Sequence, residues 1–151
     1  MTEWLKDVEP LTLKGQIAVP YTWWAGETGS RFLVSIRDKR KILGTKCKEC
    51  GKVFVPPRKN CGRCFTNMEE WVEIADEGVI KAHTIVHYAH PLQPVGPPFA
   101  YALIRLDGAD VDFLHLIKKD LDKIRNGLRV KAIFSEQRTG HILDIDSFEL
   151  I

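Results

Sequence analysis

All four cysteines of the 151-residue chain stand in two pairs, Cys47-Lys-Glu-Cys50 and Cys61-Gly-Arg-Cys64, with ten residues between the pairs. Two residues between thiolates let one tight turn aim both sulfurs at a shared point. Two such turns supply the four corners of a tetrahedral site, at about 2.3 Å per metal–sulfur bond. Gly51, directly after Cys50, and Gly62, inside the second pair, are expected to supply the positive φ that such turns often need. Four protein ligands fill the coordination shell and leave no position for water or substrate. The expected cofactor is therefore structural zinc, bound by Cys47, Cys50, Cys61 and Cys64. The competing readings are a disulfide or redox dithiol pair and a rubredoxin-type electron carrier, which requires iron; iron is also possible in recombinant material.

Other chemistry-bearing residues are scattered. Arg58 follows Pro56 and Pro57, whose fixed φ stiffens the turn, so its guanidinium is a candidate fork for a phosphate, a partner carboxylate or a local ion pair. His83, His87 and His90 suggest a cluster, but on a strand His83 and His87 stand roughly 13 Å apart, too far to share an ion without a bulge. Surface histidines are the expectation, with Lys81, His83 and His87 as a cationic face able to meet phosphate. Trp23, Trp24 and Phe32 form a candidate apolar patch for a partner or a ligand, the alternative being packing onto the chain's own barrel. Neighbours on a short helix point about 100° apart, so at least one tryptophan should lie near the surface. No serine sits in a nucleophile elbow and no glycine-rich phosphate loop follows a strand. The residues give no support to an enzyme. Asp144 and Asp146 alternate with Leu143 and Ile145 and read as a solvated face.

Hydrophobic residues make up 44% of the chain and charged residues 28%, a globular balance with room for at least one core. The first residues lack the apolar core of a signal peptide, and no run approaches the roughly 20 apolar residues that span a bilayer. A cytoplasmic protein without membrane contact is expected, in keeping with thiols kept reduced for metal. The net charge is only +2, from 22 basic and 20 acidic residues. That balance lacks the basic groove expected of a nucleic-acid binder.

The positioning elements follow. Residues 1–20 read as an irregular arm packing through Trp4, Leu11, Leu13 and Ile17. A short helix is expected after Pro20, through Tyr21–Ala25, ended by Gly26 and Gly29. A second helix is expected from an N-cap at Ser30, with Phe32, Leu33 and Ile36 on one face, basic residues 37–41 at its C-terminal end and Gly44 closing it. Residues 42–71 read as a ribbon of short strands around the knuckles, too small to fold by apolar burial alone. Period-two strands follow at 70–75, 78–88, 99–106, 112–117, 128–135 and 141–150. Five or six such strands predict a small closed barrel, with residues 121–127 as a helical turn plugging one end. Pro91, Pro94, Pro97 and Pro98 mark a long exposed loop, a candidate contact surface.

Gly44-Thr-Lys-Cys-Lys-Glu-Cys-Gly51, Val55-Pro-Pro-Arg58, Cys61-Gly-Arg-Cys64, Trp71, the run 78–85, the run 97–106 and Gly127-Leu-Arg-Val130 together resemble the acyl-CoA-associated zinc-ribbon and OB-fold family, a domain of unknown function of thiolase-accessory type. The resemblance covers roughly residues 30–148. It implies a mainly β fold with an N-terminal helical arm (1–42), a rubredoxin-like zinc ribbon (43–72) and a five-stranded OB-fold barrel (73–151). It also implies a non-catalytic accessory subunit of an acetoacetyl-CoA thiolase, a hydroxymethylglutaryl-CoA synthase or a lipid-transfer-type thiolase, helping to hold acyl-CoA. On that reading Arg58, Lys81, His83, His87 and Phe99 are the candidate ligand-binding residues. Trp23, Trp24 and Phe32 are then the candidate partner contacts. The rival function is single-stranded nucleic-acid binding on the barrel, for which Tyr88, Phe99, Tyr101 and Phe113 supply aromatics but the charge is missing.

Overall fold

A computed structural model describes residue 15 and residues 19–151; the expected packing through Trp4, Leu11, Leu13 and Ile17 lies outside the described residues. The described part has one α-helix, α1 (Gly26–Lys39), followed by eight strands: β1 (Ile42–Lys46), β2 (Val53–Phe54), β3 (Glu70–Ile74), β4 (Glu77–Val86), β5 (Phe99–Leu106), β6 (Phe113–Ile117), β7 (Arg129–Phe134) and β8 (Ile145–Leu150). The first three form a small sheet in the order β2-β1-β3, and the other five close a barrel in the order β4-β5-β6-β8-β7.

The helix corrects the sequence reading at its N-terminal side. Tyr21–Ala25 is not helical, Gly26 opens α1 rather than ending a helix, and Ser30 lies inside it. Phe32 and Ile36, one turn apart, sink into the core, and four further residues upstream, none of them buried, extend the same helix. Arg37 and Lys39 occupy its last turn, as the macrodipole favours, and Arg40 adopts the left-handed cap at φ +54°. Gly44 closes no helix; it sits within β1, where a Cβ would come 3.0 Å from the Phe54 carbonyl oxygen.

One apolar core runs through every layer. Phe32 and Ile36 of α1, Ile42 and Ile74 of the ribbon sheet, and Ile80, Ile104, Phe113 and Phe148 of the barrel belong to the same buried cluster. The strand expected at 70–75 is β3, and it pairs along its whole length with β1, not with a barrel strand. A turn from the barrel holds the ribbon. The Val53 amide donates to the Asp110 carboxylate at 2.8 Å, and the Asp110 amide donates to the Val53 carbonyl at 2.9 Å.

Within the barrel, Ala100, Ala102, Ile104 and Leu106 of β5 point inward while the alternate residues point out. Gly78 of β4 lies where β5 crosses closest: a Cβ there would fall 2.4 Å from the Arg105 carbonyl oxygen. The expected helical plug at 121–127 is a pair of turns instead, yet it fills the same place. Ile124 is fully buried, and Gly127, at φ +92°, donates its amide to the Ile80 carbonyl. Before β8 a 3-10 turn (Ile142–Asp144) buries Asp144, so the expected solvated face is corrected there. Its carboxylate accepts the amides of Thr139, Gly140 and His141, which makes burial affordable, while Asp146 pairs with Lys118 at 2.6 Å.

Candidate metal centre

The two knuckles are built alike. The Cys47 amide donates to the Lys52 carbonyl and the Gly51 amide returns to the Cys47 carbonyl. The Cys61 amide donates to the Thr66 carbonyl and the Phe65 amide returns to the Cys61 carbonyl, all four at 2.9 Å. Each turn thereby folds amides around its leading sulfur. Gly51 takes the expected left-handed backbone at φ +71°, but in the second knuckle the equivalent position belongs to Phe65, at φ +60°, and not to Gly62. The sequence reading placed that conformation inside the pair because it credited glycine; the hydrogen-bond pattern places it after the second cysteine.

All four sulfurs lie within 4.8 Å of one another, and Cys50 Sγ and Cys61 Sγ are 3.8 Å apart. A tetrahedron with bonds of about 2.3 Å has edges of about 3.8 Å, so the donor set fits a tetrathiolate metal. Phe54 and Met68 bury the cluster from one side, with Cys47 and Cys61 themselves buried. The thiols do not share one proton affinity. The Cys50 amide, helped by the Thr66 hydroxyl and against the cost of burial, pulls Cys47 down to about 6; burial and the three neighbouring sulfurs push Cys64 up to about 12. A divalent cation relieves that crowding, because it stabilises all four thiolates together.

The other expected site residues do not converge into one pocket. Arg58 is tied by its backbone to Thr45, whose hydroxyl accepts the Arg58 amide at 2.9 Å and donates to its carbonyl at 3.1 Å. Its guanidinium lies over the Phe54 ring at 5.2 Å and makes no ion pair among the described residues. A bulge between Ile80 and Ala82 leaves Lys81 without a partner in register, so Lys81 and His83 do not form the expected common face. His83 bonds to Asn126 at 2.9 Å, and His87 is exposed beyond the end of β4. Phe99 is buried in a small cluster with Val86 and Leu116 under the proline-rich loop, so it is not presented to a ligand. Phe32 is likewise a core residue and not a surface contact. Trp23 and Trp24 are both exposed, at 72% and 74%, on a segment that is not helical.

The outer face of β4, β5 and β6 is apolar across consecutive registers. Ala82 pairs with Leu103 and Leu103 with Leu114; Thr84 pairs with Tyr101 and Tyr101 with Leu116. A groove of about 520 Å³ runs from Thr84 and Tyr101 beneath Tyr88, His90 and Leu92 of the loop, and a smaller apolar hollow of about 230 Å³ adjoins it at the same two residues. Two cations beside this face are paired, Arg105 with Asp112 and Lys118 with Asp146, each at 2.6 Å, while Lys81 of β4 is exposed and makes no ion pair among the described residues. The proline-rich loop is an expected contact surface, but Leu103 and Leu114 of the adjoining hollow escape sequence reasoning, because alternation that is apolar on both sides of β5 reads only as a buried strand.

Known proteins agree with this architecture. Residues 35–69 match the family model of the ChsH2 rubredoxin-like zinc ribbon domain, and residues 71–135 match that of the ChsH2 C-terminal OB-fold domain. A solved DUF35-family protein of unknown function from Sulfolobus solfataricus is 30% identical, with a TM-score of 0.59 over 72% of this chain and 78% of that one. This chain belongs to the DUF35 family. Among DUF35 relatives, a protein of Methanocaldococcus jannaschii is 25% identical over 66% of this chain and 71% of its own length. Another, of Methanothermobacter thermautotrophicus, is 24% identical over 68% and 78%. Both are named DUF35 domain-containing scaffold proteins. A second solved structure, the Ltp2-ChsH2(DUF35) aldolase, shares the DUF35 fold at a TM-score of 0.57 and 21% identity, over 80% of this chain and 90% of that one. No helix among the described residues of this DUF35 chain is long and apolar enough to cross a membrane.

Proposed function

We propose that this DUF35 protein is a non-catalytic accessory subunit of a thiolase-superfamily enzyme, which it helps to hold acyl-CoA. The observation that carries the reading is the closed cysteine cluster. Four sulfurs within 4.8 Å of one another use every ligand position on a small module that has little core of its own. When bound, zinc supplies a cross-link between the knuckles and no open coordination site, so the ribbon's role is to hold shape. The names of the two scaffold relatives and the occurrence of a DUF35 chain in the Ltp2-ChsH2(DUF35) aldolase support docking to an enzyme.

The groove beneath the proline-rich loop is the candidate ligand face. Tyr88, Leu92 and Tyr101 offer apolar walls suited to an acyl-pantetheine arm, and the exposed His87 and His90 stand at the loop end, where they suit phosphate. With Arg105 and Lys118 paired and a net charge of only +2, the face offers little of the free positive charge on which nucleic-acid binding depends. Acyl-CoA titrated into the enzyme complex of wild-type protein and of Tyr101→Ala tests the assignment. The variant complex should assemble normally and bind acyl-CoA at least about fivefold more weakly. Unchanged affinity removes the groove from the site, and thioester turnover by the isolated chain contradicts an accessory role.

A further inference from the structure

Phe65 combines two unfavourable features. Its backbone sits at φ +60°, where a bulky side chain is strained, and its ring is 83% exposed. The first knuckle meets the same geometrical demand with Gly51, at φ +71° and with the same amide-to-carbonyl bond of 2.9 Å, so the turn itself does not ask for phenylalanine. The ring contributes to neither of the buried clusters that flank it. A strained backbone that presents an apolar ring to solvent is a pattern found where the ring acts on something outside the chain.

The surroundings say what kind of body it meets. Arg63, two residues before Phe65 on the same turn, and Lys59, at the base of the same knuckle, are exposed and make no ion pair among the described residues, although Glu27 and Glu69 line a hollow together with Lys59. On the barrel face Arg105 and Lys118, by comparison, are paired. Lys59 also lines the hollow of about 450 Å³ that holds Trp24 and the first residues of α1, so the knuckle and the exposed tryptophan border one side of the molecule. We infer that Phe65 is the anchor by which the second zinc knuckle docks, inserting into an apolar pocket with an acidic rim on the partner enzyme. A rigid aromatic on a metal-fixed turn loses little conformational freedom on binding, and the rim charges complement Arg63 and Lys59.

This inference rests on the accessory-subunit reading. The test uses the zinc-loaded full chain and purified acetoacetyl-CoA thiolase, hydroxymethylglutaryl-CoA synthase and lipid-transfer-type thiolase of its source organism. Wild type, Phe65→Gly, Phe65→Asn and Arg63→Glu are compared for binding by calorimetry and for melting temperature. Both Phe65 variants should keep their zinc and a melting temperature no lower than wild type, since glycine and asparagine suit the left-handed region. Their affinity for the enzyme that wild type binds should fall at least about tenfold. Arg63→Glu should slow association, most at low salt. Binding of the Phe65 variants within about twofold of wild type overturns the anchor and leaves the accessory role standing. Weaker binding with a lowered melting temperature makes Phe65 part of the fold and also overturns it. Phe65-dependent sedimentation with phosphatidylglycerol vesicles, without enzyme binding, assigns the ring to a membrane instead and overturns it too. Failure of wild type to bind any of the three enzymes overturns the accessory reading and the anchor with it.

Discussion

Arg138 Nε donates to the Arg37 carbonyl at 2.7 Å, joining the loop between β7 and β8 to the last turn of α1 across 101 residues of sequence. The same guanidinium donates to the Ser135 carbonyl at 2.6 Å, so one side chain both folds its own loop and caps a helix end. Helix, ribbon and barrel are held by such single ties together with one common apolar core.

Arg138→Ala should therefore loosen α1 without unfolding the barrel. The lost charge-assisted bonds amount to about 1–3 kcal/mol. Hydrogen exchange should speed up at residues 33–39 and 135–141 and stay near wild type in β5. Uniform acceleration throughout the chain would show that the tie has no local role.

Gly78→Ala tests the closest approach in the barrel. An added Cβ meets Arg105 backbone oxygen at 2.4 Å and Leu106 Cα at 2.8 Å, atoms that no side-chain rotation removes. Destabilisation of about 2–4 kcal/mol is expected in chemical denaturation. Gly96, with nothing within 4 Å of an added Cβ, is the control, and Gly96→Ala should change stability by less than about 0.5 kcal/mol. Equal effects at the two sites would contradict the packing described.

His115 predicts a pH dependence. The imidazole is buried within the barrel beside Phe113 and Phe148; Nε2–H donates to the Ile142 carbonyl at 3.3 Å, and Nδ1 has no partner among the described residues. Burial, with the nearby Lys118 adding to it and Asp146 opposing, holds its pKa below the ordinary value of 6.5. The unfolded chain then binds the proton more readily. The neutral histidine's stabilising contribution is complete above about pH 6.5 and is lost as pH falls from there toward the folded-state pKa. Melting temperatures measured between pH 7.5 and pH 5 should fall more steeply for wild type than for His115→Leu. Identical slopes would refute the assignment.

The convergence of the four cysteines was legible because its signal is local: two turns of fixed spacing dictate where four sulfurs go. Strand β5 was equally legible, Phe99–Leu106 being bounded by prolines and by an Asp-Gly turn. What escaped depended on distant residues. The helix starts at Gly26 and not Ser30, with its buried residues Phe32 and Ile36 packed on a core assembled from β1, β3 and the barrel. The burial of Phe32 and Phe99, each expected at a contact surface, depends on which elements cover them, and no local pattern contains that information. Lys81 leaves its expected face through a bulge, which shifts the alternation by one residue. Phe65 gave no signal at all, since only the folded knuckle shows that its backbone does the work of Gly51.

The most direct test of the central claim titrates the partner enzyme with zinc-loaded wild-type protein and with Cys61→Ser/Cys64→Ser protein, following complex formation by calorimetry and fold by circular dichroism. The loaded chain should contain one metal ion bound by four sulfurs and form a stoichiometric complex. The double variant should lose the ribbon, weaken the barrel through the shared core and fail to bind. A metal-free chain that stays fully folded and binds the enzyme as tightly as the loaded one would contradict the account.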